Sequence, residues 1–177
     1  ISGGRHTIND PTDRGRLTNS QLVYSGTQRT NVATIVDHIV IDGQSVDIAS
    51  ENFATMADVN LILGLITQKD FTGPPSDGGE ISREGAMRRL SRIICSDLES
   101  VSEREILEMA RYIRDAQVSK ISKNLVNLLD QNRFDGRVPC IVAGSGRSAL
   151  AEPAARDAGL TNIQAFHEYL QKTIRVH

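Results

Sequence analysis

These 177 residues predict an α/β fold class with several long helices. Three observations carry that prediction. The apolar run 138–143 stops at Gly144-Ser145-Gly146, and a helix-forming, alanine-rich segment follows. Two β-branched runs flank Asp42-Gly43, a dipeptide that tolerates the positive φ angles of a tight hairpin turn. Elsewhere apolar residues recur at helical spacing behind capping signals at Thr55, Ser82 and Ser102.

Residues 1–20 are rich in Gly, Asp, Asn, Arg and Thr, with Asp10-Pro11 as a turn signal. They read as an exposed N-terminal loop in which Asp13, Arg14 and Arg16 are solvated. The span 21–70 holds a short strand at Leu22-Val23-Tyr24, the hairpin at 37–49 and a first helix. That helix opens at Thr55, with Asp58 three residues on as the acid of a capping box. Val59, Ile62, Leu63 and Ile66 then carry it to Gln68. Residues 71–81 are a loop or linker, because the two prolines and three glycines of the stretch 73–79 exclude regular structure. A link between subdomains and a mobile flap beside a ligand both fit that composition.

From 82 to 135 the chain is helical. Ser82 caps a helix with Met87, Leu90, Ile93 or Ile94, and Leu98 as its apolar stripe, and Glu84 precedes Arg88 by one turn on the exposed face. Arg88, Arg89 and Arg92 form a basic cluster, read either as a solvated face or as an anion-binding edge. Ser102 and Glu105 make a full capping box, and Ile106, Ala110, Ile113, Gln117, Ile121, Leu125 and Leu128 keep the helical period to Asp130. Gln117 interrupts the apolar stripe. A buried glutamine needs partners at both ends of its amide, from neighbouring backbone or from a ligand. Residues 136–177 hold the strand, the glycine turn and a C-terminal helical segment, with a strand candidate at 162–166. Pro153 is incompatible with a simple helix from Ser148. Either the first turn is irregular, or the main helix starts with Pro153 at its first position.

In open α/β folds a tight glycine turn from strand to helix lets a ligand phosphate approach the backbone, and the first unpaired N–H groups of the helix point at the anion. Spacing alone leaves an architectural reading open, since glycine also serves sharp turns. The apolar fraction of 39% and charged fraction of 24% are those of an ordinary soluble globular protein. A net charge of −2 and a pI of about 6.1 disfavour nucleic acid and anionic membrane as partners. No apolar run approaches the roughly 18 residues a membrane span needs. Cys95 and Cys140 lie in apolar patterns and read as reduced core thiols of a cytoplasmic protein. His6, His38, His167 and His177 lack metal-ligand spacing, so no His/Cys metal site is expected. The chain opens on Ile1 without an initiator methionine, as a fragment or a processed product would.

Five stretches carry a resemblance. They are Leu22 to Val32, Ala49 to Val59, Asp77-Gly78-Gly79 with Arg89-Leu90-Ser91-Arg92 and Asp97, Gln117 in the long helix, and Ile141 to Leu150. In order and spacing, through most of residues 15–160, the chain resembles the tetrahydromethanopterin-linked C1-transfer pathway proteins, relatives of hydantoinase A and oxoprolinase. The resemblance implies an actin-like ATPase fold of two ribonuclease-H-like lobes, with this chain an incomplete half and ligand phosphates in the cleft. It implies a transferase of methanofuran biosynthesis that joins an aminomethylfuran diphosphate to γ-glutamyl-tyramine and releases pyrophosphate. Mg²⁺ and a diphosphate or nucleotide are the implied cofactors, and a small phosphorylated molecule the implied substrate. Carried onto this sequence, Gly144, Ser145 and Gly146 would contact phosphate, Arg29 and Gln117 would line the ligand, and Asp58 and Asp77 would be the catalytic carboxylates.

The chain departs from the family in four places. The family's first phosphate motif, of the type Asp-x-Gly-Ser-Thr-Thr-Thr-Asp, lies upstream of where this chain begins. Asn31 and Met56 replace a proline and a threonine, and 166–177 does not resemble the family's small-residue helix. A homodimer, or association with a missing N-terminal half, would complete the cleft. Two alternatives stand beside the transferase: an ATP-dependent hydantoinase/oxoprolinase-like hydrolase or kinase relative, and a folded, non-catalytic binding or assembly module.

Overall fold

The computed structural model describes Ile8 and residues 10–174. The chain is mixed α/β. Its order is α1 (Asp13–Thr18), β1 (His38–Ile41), β2 (Gln44–Asp47), α2 (Met56–Ile62), α3 (Arg83–Ser91), α4 (Glu103–Asn132), β3 (Cys140–Val142), α5 (Glu152–Asp157), β4 (Ile163–Ala165) and α6 (Phe166–Ile174). It divides into two compact units, one of Ser25–Gln117 and one of Ile1–Tyr24 with Val118–His177. Helix α4 contributes its first half to the former and its second half to the latter. Readings that fall on residues 1–7, 9 and 175–177, His6 and His177 among them, lie outside the described residues. No helix of the described residues is long and apolar enough to cross a membrane.

In the unit Ser25–Gln117, β1 and β2 form the expected antiparallel hairpin, Ile39 opposite Val46 and Ile41 opposite Gln44. Asp42 and Gly43 both take positive φ, 49° and 78°, as a two-residue hairpin loop requires. Helix α2 opens at Thr55, whose amide donates to the Asp58 carboxylate at 2.8 Å. It ends at Ile62, not at Gln68. The Gly64 amide bonds Leu61 C=O at 3.2 Å and the Leu65 amide bonds Asn60 C=O at 2.8 Å, a Schellman stop that Gly64 makes possible at φ 68°. Residues Gln68–Asp70 form a separate 3₁₀ turn.

Helix α3 starts where the Ser82 hydroxyl accepts the Gly85 amide at 3.0 Å. A 3₁₀ turn, Arg92–Ile94, then closes on Cys95 at φ 55°. Cys95 is exposed there, which corrects the reading of a core thiol, while Cys140 is half-buried. The Ser102–Glu105 box forms, with the Ser102 amide 2.8 Å from Glu105 Oε2, and the 30 residues of α4 make a rod of about 45 Å. Ile39, Met56, Val59, Leu90, Ile106, Met109 and Ile113 are fully buried in this unit's core.

The second unit corrects two expectations. Residues 13–18 are helix α1 and not loop, because the Thr12 hydroxyl caps them by accepting the Gly15 amide at 3.0 Å. Leu22-Val23-Tyr24 takes no regular secondary structure and joins no sheet among the described residues, and Tyr24 is exposed. Strands β3 and β4 pair in parallel, Cys140 opposite Ile163 and Val142 opposite Ala165, with α5 as the crossover. The irregular first turn is the reading of Pro153 that holds, since α5 opens at Glu152 and Pro153 is its second residue. A π-helical turn, Arg147–Ala151, precedes α5, and Pro153 sits in the first turn of α5. The Ala151 amide reaches back five residues to Gly146 C=O at 3.2 Å. A small core of Val118, Leu150 and Ala154, backed by Ile121 and Leu125, holds α5 against α4.

Candidate functional site

Asp58 sits in the first turn of α2 and is completely buried. Its Oδ2 accepts the Thr55 amide at 2.8 Å and the Thr55 hydroxyl at 3.2 Å. Its Oδ1 accepts Arg89 Nε at 2.8 Å. Arg89 Nη2 lies 2.8 Å from the same oxygen but is not aligned for a hydrogen bond. Neither Arg89 nor Asp58 exposes any side-chain surface. Removing such charges from water costs several kcal/mol each, and only close pairing with satisfied neighbours offsets that.

The guanidinium continues outward. Arg89 Nη1 donates to Asp77 Oδ1 and to Glu80 C=O, both at 3.2 Å, while Asp77 Oδ1 also accepts the Gly79 amide at 2.9 Å. Arg92 approaches Asp77 Oδ2 at 3.5 Å. Partial burial pushes the Asp77 carboxyl up, but the Gly79 amide and the Arg89 charge outweigh it and hold the group below the usual carboxylate range. The two carboxylates singled out from the sequence therefore meet through one arginine. Asp58 is enclosed with both oxygens engaged, whereas Asp77 keeps a fifth of its side-chain surface in solvent.

The solvated-face reading of the basic cluster fails for Arg89, which points into the core; Arg88 and Arg92 are half-exposed. The helical wheel holds the missing signal. Arg89 lies three residues after Ala86 and four before Ile93, both buried, so it falls on the apolar stripe of α3.

A second cluster pins the loop that carries Arg29. Gln117 is buried, and its Nε2 donates to Ser25 Oγ at 2.7 Å and Gly26 C=O at 3.0 Å. Asn60, also buried, donates to Thr27 C=O at 2.9 Å. The Ala57 and Met56 amides bond the carbonyls of Gln28 and Thr30 at 3.0 and 2.9 Å. With its backbone held from behind, the loop presents Arg29 to solvent. Asn60 escaped the sequence reading because its partner is 33 residues away.

Gly144, Ser145 and Gly146 belong to the other unit. Gly144 takes φ 89°, turning the chain out of β3, and Gly144 and Ser145 are exposed. Gly144 C=O accepts the Arg147 amide at 3.2 Å, and Gly146 C=O accepts the amides of Leu150 and Ala151. The backbone amides of Ser145 and Gly146 donate to no partner among the described residues. Two adjacent amides at a solvent-facing turn are what a phosphate oxygen requires of a backbone. Among the described residues no group of three His, Cys, Asp or Glu side chains is placed to hold a metal ion.

A model of the hydantoinase/oxoprolinase family matches residues 6–170. A protein of Methanocaldococcus jannaschii named (4-{4-[2-(gamma-L-glutamylamino)ethyl]phenoxymethyl}furan-2-yl)methanamine synthase is 31% identical over 148 residues, covering 84% of this chain and 44% of its own. A protein of the same name from Methanococcus vannielii is 27% identical over 141 residues, covering 80% of this chain and 62% of its own. The chain thus spans about half the length of the curated relatives it matches. With the match running through both units, the chain belongs to the hydantoinase/oxoprolinase family.

Proposed function

We propose that this chain is the diphosphate-binding half of a synthase in methanofuran biosynthesis, within an actin-like fold built of ribonuclease-H-like lobes. The reaction joins an aminomethylfuran diphosphate to γ-glutamyl-tyramine with release of pyrophosphate. The likeness to two synthases whose names contain the glutamylamino, phenoxymethyl and furan-methanamine groups supports the substrate class. The observation that carries the role of this chain is the Gly144–Gly146 turn, whose Ser145 and Gly146 amides are free of protein partners among the described residues. A turn of this kind stabilises the charge that grows on a departing diphosphate. Within the unit Ser25–Gln117, Gln117 fixes the loop that exposes Arg29, and Asp77 is the accessible carboxylate. Mg²⁺, which the family resemblance implies, would accompany the diphosphate as its counter-ion. The rest of the cleft comes from an upstream half or a second copy.

Titration with pyrophosphate and Mg²⁺, followed by thermal unfolding, tests this. A ligand at 100 times its Kd stabilises by about 2.7 kcal/mol, and Gly146→Val should remove that shift. An unchanged wild-type melting temperature at millimolar pyrophosphate refutes the proposal, as does a shift that survives Gly146→Val. The family match itself supports a second reading, an ATP-dependent hydrolase. Stabilisation by ATP and not by pyrophosphate would select it.

A further inference from the structure

A cavity of about 260 Å³, lined in part by the Arg92 that approaches Asp77, is used by none of these roles. Glu84, Arg88 and Arg92 line it from one face of α3 and its 3₁₀ extension, and residues 96–99 line it from the turn that follows. We propose that this cavity seats a free α-amino-acid head group, with Arg88 and Arg92 taking the carboxylate and Asp97 and Glu99 the ammonium. The choice of ligand rests on the function proposed above. The γ-glutamyl group in the relatives' name ends in a carboxylate and an ammonium on one carbon.

The lining selects that chemistry. Two guanidiniums face three carboxylates, those of Glu84, Asp97 and Glu99, so the site is net negative and disfavours a diphosphate. Both signs side by side complement a zwitterion, which brings one charge for each. The volume lies just below the roughly 300–1,000 Å³ of sites for drug-sized ligands, which suits a head group and not a nucleotide.

The arginines are also available. Arg88 reaches Glu84 alone among the described residues, through one nitrogen at 3.1 Å, and Arg92 reaches only Asp77, at 3.5 Å. Half-exposed pairs of this kind are worth little and exchange readily for a ligand carboxylate, which an arginine can hold through two parallel bonds. Hydrogen bonds from Ser100 hold Asp97 below the usual carboxylate range, keeping it anionic. Leu98, packed on the core, gives the carbon skeleton an apolar neighbour. Arg92 touches both the cavity and Asp77, so ligand there would be sensed by the carboxylate assigned to the reaction.

Isothermal titration of the full chain with γ-L-glutamylethylamide, in the absence of any diphosphate, tests the site. Saturable binding is expected, weakened by roughly 10- to 100-fold in Arg88→Gln and in Arg92→Gln. The des-amino analogue N-ethylglutaramate should bind more weakly than the amino acid in wild type, and the gap should narrow in Glu99→Gln, which leaves only Asp97 for the ammonium. These side chains lie at the surface, and circular dichroism checks that each variant folds. No binding to wild type overturns the proposal, as does equal affinity for the des-amino analogue. Displacement by inorganic pyrophosphate would also overturn it, making the arginines an anion site. Because the pyrophosphate test reads the Gly144–Gly146 turn in the other unit, failure of either experiment is distinguishable from failure of the other.

Discussion

Replacing Arg89 with Met keeps the length and apolar stem of the side chain but leaves Asp58 charged, buried and without its cation. Asp58 would retain only the Thr55 amide and hydroxyl, at 2.8 and 3.2 Å. Breaking a buried pair by removing one partner costs about 3–5 kcal/mol. For a chain of this size that is a fall in melting temperature of roughly 6–20 °C. Asp58→Asn should cost less, because Arg89 keeps Asp77 and the Glu80 carbonyl. The double variant Asp58→Asn/Arg89→Met removes both charges and should cost less than the sum of the two, by roughly 1–3 kcal/mol. Urea unfolding gives the three free energies, and hydrogen exchange should locate the loss in α2 and α3, the helices the pair joins. If Arg89→Met costs less than about 1 kcal/mol, or if the two changes are additive, the pair is not the clamp that its burial implies.

Two further outcomes follow from single side chains. Asp77 is more acidic folded than unfolded, so its contribution to stability is complete above its unfolded value and is lost as pH falls through the depressed folded one. The stability difference between wild type and Asp77→Asn should therefore be flat from neutral pH down to about pH 5 and shrink below about pH 4, as read by denaturant titrations across that range. Gln117→Leu should cost about 1–3 kcal/mol by stranding the Gly26 carbonyl and the Ser25 hydroxyl. Thermal unfolding measures this, and a neutral substitution would show that the loop does not need the amide.

What could be read in advance was what the chain encodes over three or four residues. Asp42-Gly43, Thr55 with Asp58, Ser82, and Ser102 with Glu105 each bring donor and acceptor together without long-range help, and each forms. Signals that need a distant partner are less legible in a sequence. Arg89 looked like one of three surface cations because its partners Asp58 and Asp77 stand 31 and 12 residues away. Leu22-Val23-Tyr24 has strand composition, but strandhood requires a neighbour, and none of the described residues supplies one. The end of α2 fell to a competition in which the Gly64 stop outweighed the apolar period continuing through Leu63 and Ile66. For the candidate site, the sequence could nominate Asp58, Asp77, Arg29, Gln117 and the glycine turn. It could not say that an arginine ties the first two together, or that Asn60 and Gln117 jointly hold the loop beneath Arg29.

The π-helical turn between the glycine turn and α5 has a geometric consequence. Each residue of an α-helix advances the chain by about 100°, so one surplus residue in a turn acts as a phase shift for all that follows. Its place ahead of α5 sets the azimuth at which Ala154 meets Val118 and Leu150. Deleting one residue from 147–151 would leave the composition of α5 unchanged yet turn the helix by about 100°, bringing Ala155 round to where Ala154 stands. The length of this short turn, more than its sequence, decides which face of the crossover helix meets the core. The glycine loop can thus take its own orientation while the helix behind it stays keyed to its core.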